Sequence, residues 1–404
     1  MGGRVATRAG VLDGADVLIE DGRVVAVGET VHGARELDAG GCYVLPGGVD
    51  PHTHVYEGLA SAPLAALRSG TTEVEAFAPP EPGERVEDAC ARWDALAAGS
   101  ACRIDPIATV YEPAALDEQS VEALALRGVR GLKLFLAYRE LGLEADDEVL
   151  LRALFWGRAH GVTLRLHCEN GGAIHLLRER LRETGDVGLD AHPRSRPPLL
   201  EEEAIRRALD LARLAGAPVY IVHVSTAGGV EAIRAARAAG HDVVGETCPQ
   251  YLLLDDSVYA GAAAAMGVIS PPLRQREHVE AVWAGVLDGT LTAIGSDHGQ
   301  RGSRTSSRFD EIVPGGPGVA ARMPLVLTAA LRDGRLPLAL AVRLLCADRV
   351  VAAGAQADLV VWDPRPVWTL TPATLAEGLD ASLWDGTEVR GRPRAVLRNG
   401  EVVA

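Results

Sequence analysis

The chain has 404 residues, is 48% hydrophobic and carries a formal net charge of -15. A chain of this length can bury one large core and a smaller second one, and its composition excludes a disordered protein. Its basic residues form no extended cluster, which excludes a nucleic-acid surface, because phosphate binding needs a Lys/Arg footprint. No run of about 20 apolar residues and no signal-type apolar segment occurs, so the expectation is a cytoplasmic protein with no membrane partner. The six cysteines, Cys42, Cys90, Cys102, Cys168, Cys248 and Cys346, show no CxxC and adjoin apolar segments. That pattern predicts buried thiols in a reducing compartment.

Residues 1–45 read as short strands broken by turns, with a hairpin signal at Asp21-Gly22. Eight short apolar runs then alternate with helical stretches. They are CYVLPGGV (42–49), TTEVEAF (71–77), RIDPIATV (103–110), GLKLF (131–135), VTLRLH (162–167), VYIVHV (219–224), DVVGE (242–246) and LTAIGS (291–296). The helical patterns DEVLLRALFWGRAHG and LEEEAIRRALDLARLAG end at Gly161 and Gly216, natural residues to follow a helix C-terminus. The tail returns to strands, ADLVVWDP (357–364) and PRAVLRNGEVVA (393–404), with a second hairpin signal at Asn399-Gly400. Eight runs alternating with helices predict an α/β fold, a (β/α)8 TIM barrel over 47–352. Neither chain end has enough apolar length to stand alone, so 1–46 and 353–404 are expected to pair into one small β-sandwich domain. A doubly wound sheet is the alternative. It is disfavoured because no glycine-rich phosphate loop follows the first strand and the candidate site residues come from many strand ends.

Those candidates are His52 and His54 after the first run, Lys133 on the fourth, and His167, His223 and Asp297 at the ends of the fifth, sixth and eighth. All fall at the C-terminal face, where barrel loops build the pocket. His52 and His54 are two apart, so an extended segment points both the same way. Four imidazoles and a carboxylate suit Zn2+, with Mn2+, Co2+ or Fe2+ as alternatives. Cys168 is one residue out of phase with His167 and is expected to face away; His298 reads as polar rim. An ammonium cannot ligate a cation, so Lys133 is either a lysine snorkelling to the rim or an amine that reacts with CO2 to form a carbamate. A carbamate could bridge two divalent ions roughly 3.5 Å apart and lower the pKa of a shared water. One ion would take His52, His54 and Asp297, the other His167 and His223. Asp297 could also accept a proton from the attacking hydroxide and pass it to a departing nitrogen.

The segments GGVDPHTHV, GLKLFLAY, HCENGG, AHPRSRPP, VYIVHVST, GETCPQYL, ISPPLR, GSDH, GGPGVAARMPL and ADLVVWDP carry a further likeness. Through them the chain resembles the amidohydrolase superfamily and, within it, the dihydropyrimidinase/hydantoinase group, over essentially its whole length. The resemblance implies a barrel plus β-sandwich, a binuclear zinc centre with carboxylated Lys133, and a homodimer or homotetramer. It implies hydrolysis of a small cyclic amide or imide, of dihydropyrimidine or hydantoin type, to an N-carbamoyl amino acid or similar ring-opened product. Tyr138 matches the tyrosine that hydrogen-bonds the carbonyl oxygen as charge develops, and Ser270 a position whose backbone contacts the ring amide.

The chain departs from the group at three places. Gly315 stands where an Asn is usual, the loop after His54 is short, and CADRVVAAGAQ (346–356) replaces a longer segment with no metal ligand lost. Dihydroorotases resemble this group but place an Arg shortly after HxH to hold the ring carboxylate; here the order is His54-Val55-Tyr56. The alternatives are a pathway-specific amidohydrolase acting on allantoin or a bulkier imide or lactam, and a non-catalytic dihydropyrimidinase-like scaffold. The complete set of six site residues speaks against the scaffold.

Overall fold

The computed structural model describes residues 1–28, 33, 35–55, 59, 61–299, 302 and 304–404. Both chain ends build one mixed sheet. Its N-terminal strands are Gly3–Thr7 (β1), Gly10–Glu20 (β2), Arg23–Gly28 (β3) and Tyr43–Pro46 (β4). The barrel strands follow: Gly48–Thr53 (β5), Thr71–Ala78 (β6), Arg103–Thr109 (β7), Gly131–Phe135 (β8), Thr163–His167 (β9), Val219–Ile221 (β10), Val243–Thr247 (β11) and Ala293–Ile294 (β12). Leu359–Thr369 (β13), Glu388–Arg398 (β14) and Glu401–Val402 (β15) complete the end sheet.

The seven-stranded end sheet runs β15-β14-β13-β4-β1-β2-β3. Both hairpin signals are realised, since Asp21-Gly22 and Asn399-Gly400 take paired positive φ, the conformation that matches strand twist. The two ends meet where β13 lies antiparallel on β4, with Val361 opposite Val44 and Leu359 opposite Pro46. Val5, Val44, Leu359, Val361 and Leu397 bury a small core of their own.

The eight remaining strands form a nearly closed parallel barrel in chain order. The doubly wound alternative is thereby excluded. Residues 42–49, expected as one strand, are in fact divided between the two sheets: Tyr43–Pro46 goes to the end sheet and Gly48–Thr53 to the barrel. The crossing is made at Gly47-Gly48, where a Cβ on the first would run into Thr72 and one on the second would lie 2.6 Å from Met323 Sδ. His52 therefore lies within the first barrel strand rather than after it. Gly161 and Gly216 cap their helices in the left-handed conformation, as their positions predict.

Barrel closure is made by side chains as well as backbone. Asp297 N–H donates to His52 O at 3.1 Å, and His54 N–H donates to His298 O. Arg322, fully buried, donates to Ile294 O and Val49 O, both at 2.8 Å, so one guanidinium staples β12 to β5. Asp50 accepts from the backbone N–H groups of His52 and Ser296 across the same seam.

A buried carboxylate docks the segment between β13 and β14 onto this seam. Glu377 Oε1 accepts from Ala320 N–H at 2.8 Å and stands 3.7 Å from His298 Nδ1. Burial pushes Glu377 up to about 7 from an ordinary 4.5, and burial pushes His298 down to about 4, so between those values both are uncharged and no pH makes them an ion pair. The folded state holds the Glu377 proton more tightly than the unfolded chain. Its contribution is full below pH 4.5, falls as pH rises from 4.5 through about 7, and then levels off; the gap corresponds to about 3 kcal/mol. Glu377→Gln should flatten the fall in Tm over that window, as scanning calorimetry at several pH values would reveal; an unaltered slope would contradict the assignment.

Candidate active site

Alternation along each strand decides which side chains enter the barrel. Leu132 and Leu134 belong to the large core, so Lys133 between them faces the lumen. Leu166 and Cys168 do the same for His167. Cys168 thus packs outward as expected, and all six cysteines are buried and free. His223 and Asp297 lie just past β10 and β12, and Tyr138 just past β8. All three adopt positive φ, 42°, 53° and 64°. Such backbone is uncommon for any residue but glycine, most costly for the bulky Tyr138 and less so for His and Asp, and it concentrates at functional sites.

The six predicted residues converge. Ligand-type atoms of His52, His54 and Asp297 lie within 4.8 Å of one another. His52 Nε2 stands 3.0 Å from Asp297 Oδ1, and His54 Nε2 stands 3.6 Å from the same oxygen. The ring centroids of His52 and His223 are 5.3 Å apart, and those of His167 and His223 are 4.6 Å apart. Lys133 Nζ lies over Phe77 at 4.6 Å from the ring centroid. With Tyr138, Ser270 and Gly315, five of the six line a cavity of about 300 Å³, and His52 is buried beneath it.

Charge inside this cavity follows from burial and neighbours. Burial pushes His54 down to about 4 and holds His167 and His223 well below 6.5, leaving neutral imidazoles with lone pairs to offer. Burial lowers Lys133 to about 8 despite the charges of Asp297 and Glu246. Burial alone would lower His52 and raise Asp297, but the charge of Glu246, followed by that of Asp297, reverses the first, and the charge of His52 reverses the second. Burial keeps the Tyr138 phenol protonated.

Three supporting residues were not singled out in the sequence. Glu246, ending the run DVVGE, accepts from His52 Nδ1 at 2.7 Å, Tyr220 OH at 2.7 Å and His223 N–H at 3.1 Å. It fixes the imidazole so that Nε2 faces Asp297. Glu169 stands 2.7 Å from His167 Nε2 and takes a hydrogen bond from Arg196, whose guanidinium lies 5.3 Å from the Tyr138 ring centroid. A charge closing an apolar run, as in DVVGE, was the available signal for Glu246. Partners of this kind typically carry roughly 10–100-fold in metal affinity. Glu246→Gln should weaken divalent-metal retention by that factor in a chelator competition; unchanged retention would rule the role out.

One expectation changes, and one departure from the group acquires a physical reason. His298 is buried rather than at the rim, and its Nδ1 accepts from Gly318 N–H at 3.2 Å. Gly315 has φ of 144°, and a Cβ there would collide with Gly299 O, so no side chain could replace the usual Asn on this backbone. Its N–H already donates to Val268 O at 3.2 Å, and its carbonyl accepts from Arg304. Tyr56 and most of the short loop after His54 lie outside the described residues.

The donor set fits divalent metal. His52 Nε2 is buried without hydrogen-bond geometry although a carboxylate oxygen faces it, an arrangement that a cation between the two would resolve. No helix among the described residues is long and apolar enough to cross a membrane.

No family model matches the chain. It is 36% identical to D-hydantoinase of Streptomyces coelicolor, over 100% of this chain and 93% of that one. It is 34% identical to D-hydantoinase of Geobacillus stearothermophilus, over 99% and 91%. The crystal structure of dihydropyrimidinase from Brevibacillus agri superposes with a TM-score of 0.92 at 31% identity, covering 99% of this chain and 93% of that one.

Proposed function

The chain belongs to the hydantoinase/dihydropyrimidinase group of the amidohydrolase superfamily and is a hydrolase of cyclic amides, and from that premise we propose that it opens dihydropyrimidine- or hydantoin-type rings to N-carbamoyl amino acids or similar products. The observation that carries this reading is the convergence of four imidazoles, Asp297 and a buried lysine at one cavity. His52, His54 and Asp297 would hold one divalent ion and His167 and His223 another, with carboxylated Lys133 between them. Zn2+ suits the donors first, with Mn2+ or Co2+ as alternatives. Bound there, such ions would supply Lewis acidity and bring the pKa of a shared water toward neutrality.

The remaining chemistry belongs to the chain. Burial of Lys133 favours the neutral amine, the form able to attack CO2 and, on losing a proton, become a carbamate. Asp297, ionised beside His52, takes the proton of the attacking water and returns it to the ring nitrogen as the C–N bond breaks. The protonated Tyr138 phenol donates to the carbonyl oxygen as its negative charge grows. Ser270 meets the ring amide, while at Gly315 only the second lone pair of the carbonyl remains for a ring N–H. A division into 1–46 with 353–404 and 47–352, and assembly as a homodimer or homotetramer, complete the proposal; light scattering tests the assembly.

Tyr138→Phe should lower kcat more than it raises KM, because a donor acting mainly in the transition state leaves substrate binding largely intact. An unchanged kcat would remove Tyr138 from the mechanism. The decisive screen spans dihydrouracil, 5-substituted hydantoins, allantoin, dihydroorotate and simple cyclic imides. Opening of dihydrouracil or a hydantoin is expected; turnover of dihydroorotate alone would overturn the reading.

A further inference from the structure

The helix Gly171–Glu183 buries Gly171, Ile174 and Arg178. Residues three and four apart share a helix face, so an apolar side chain is expected at the third position. A guanidinium stands there instead, only 8% exposed. Burying a cation is expensive unless acceptors surround it. The other buried arginines have such acceptors: Arg196 bonds Glu169, Arg274 bonds Glu201, and Arg322 bonds the carbonyls of Val49 and Ile294. Among the described residues Arg178 has no acceptor within hydrogen-bond reach. Among them the nearest carboxylate oxygen is Glu140 Oε1, 3.9 Å from Nη1, which is too far for a hydrogen bond. Phe309 offers only a ring face, 5.7 Å from the guanidinium carbon.

Arg178 lines the same cavity as Lys133, His167 and Asp297. The other described acids of that lining are already engaged, Asp297 by His52, Asp310 by Arg182 and Arg308, and Glu311 by Arg308. Leu141, Leu143, Ile312 and Val313 supply apolar surface to the same cavity. The described lining of the cavity thus combines a polar floor for the ring, apolar side chains and a planar cation whose only described ion-pair partner, Glu140, stands beyond hydrogen-bond reach, a group shaped to take a carboxylate through two parallel hydrogen bonds.

We propose that Arg178 is a specificity-determining residue that receives a carboxylate on the ring substituent, so that the preferred substrates are cyclic amides with a short apolar arm ending in an acid. This rests on the reading of the chain as a cyclic-amide hydrolase, and the carboxylate takes no part in the bond changes. The test compares hydantoin-5-propanoate with its neutral isostere, hydantoin-5-propanamide, on enzyme loaded with divalent metal and bicarbonate. Charge-assisted hydrogen bonds of this kind correspond to roughly tenfold to a hundredfold in kcat/KM, expressed mainly in KM. The wild type should favour the acid by that factor. Arg178→Gln should abolish the preference and Arg178→Lys should keep part of it. Glu140→Gln, which removes the nearest competing carboxylate, should enlarge it. An enzyme that opens the amide as well as the acid, or a preference surviving Arg178→Gln, overturns the assignment and leaves the hydrolase reading standing. Failure to open either ring, or any other cyclic amide, overturns both.

Discussion

Lys133→Ala should cost ring opening roughly a thousandfold or more in kcat/KM, because Lewis-acid stabilisation of developing charge is worth several kcal/mol. The residue occupies a place that a lysine fills only at a cost. It is 1% exposed, flanked by Phe77 and Phe135, and burial brings its amine down to about 8. Converting the amine to a carbamate replaces an unfavourable buried cation with an anion in a cavity that gathers three neutral imidazoles. The variant should therefore lose metal along with activity, and short carboxylic acids should restore part of both by occupying the vacated space. Lys133→Met, closer in volume, separates loading from packing: it should fold and melt cooperatively yet retain less metal. Full activity in Lys133→Ala would end the bridging role.

Asp297→Asn carries the second large effect, a loss of roughly a hundredfold to ten-thousandfold in kcat, the range expected when a positioned general base is removed. The carboxylate stands on the barrel seam, 3.0 Å from His52 Nε2 and 3.6 Å from His54 Nε2, and His52 keeps it ionised despite its burial. The amide keeps the size and cannot take a proton. Since the same carboxylate is a proposed ligand, metal content must be measured alongside turnover. Asp297→Glu should hold metal while slowing the reaction, because the longer arm misplaces the proton acceptor. Unchanged kcat in Asp297→Asn would assign the proton transfer elsewhere.

The barrel was legible in the sequence because its strands are short apolar runs separated by helices with clear stops, such as those at Gly161 and Gly216. The convergence at the site was legible because imidazoles, Lys133 and Asp297 all close or interrupt such runs. The first run misled because Tyr43–Pro46 and the opening Gly48-Val49 of β5 read as one unbroken apolar stretch, and the close approach of Thr72 and Met323 to Gly47-Gly48 marks where the chain changes sheet. His298 looked like rim because its acceptor contact with Gly318 N–H comes from a distant loop. Glu246 and Glu169 escaped notice for a related reason. Each works by holding an imidazole, a role that becomes visible only when distances are known. Arg178 is the reverse case, a charge on a helical stripe whose meaning depends on which cavity that stripe faces.

The most direct measurement is metal content together with ring opening, on protein prepared with divalent metal and bicarbonate. On this reading of the site about two divalent ions per chain are expected, the stoichiometry of a site that clamps both sides of a reacting bond, together with a carbamate on Lys133 and opening of dihydrouracil or a hydantoin that chelation abolishes. Full ring opening by protein with no bound metal and an unmodified Lys133 would contradict it.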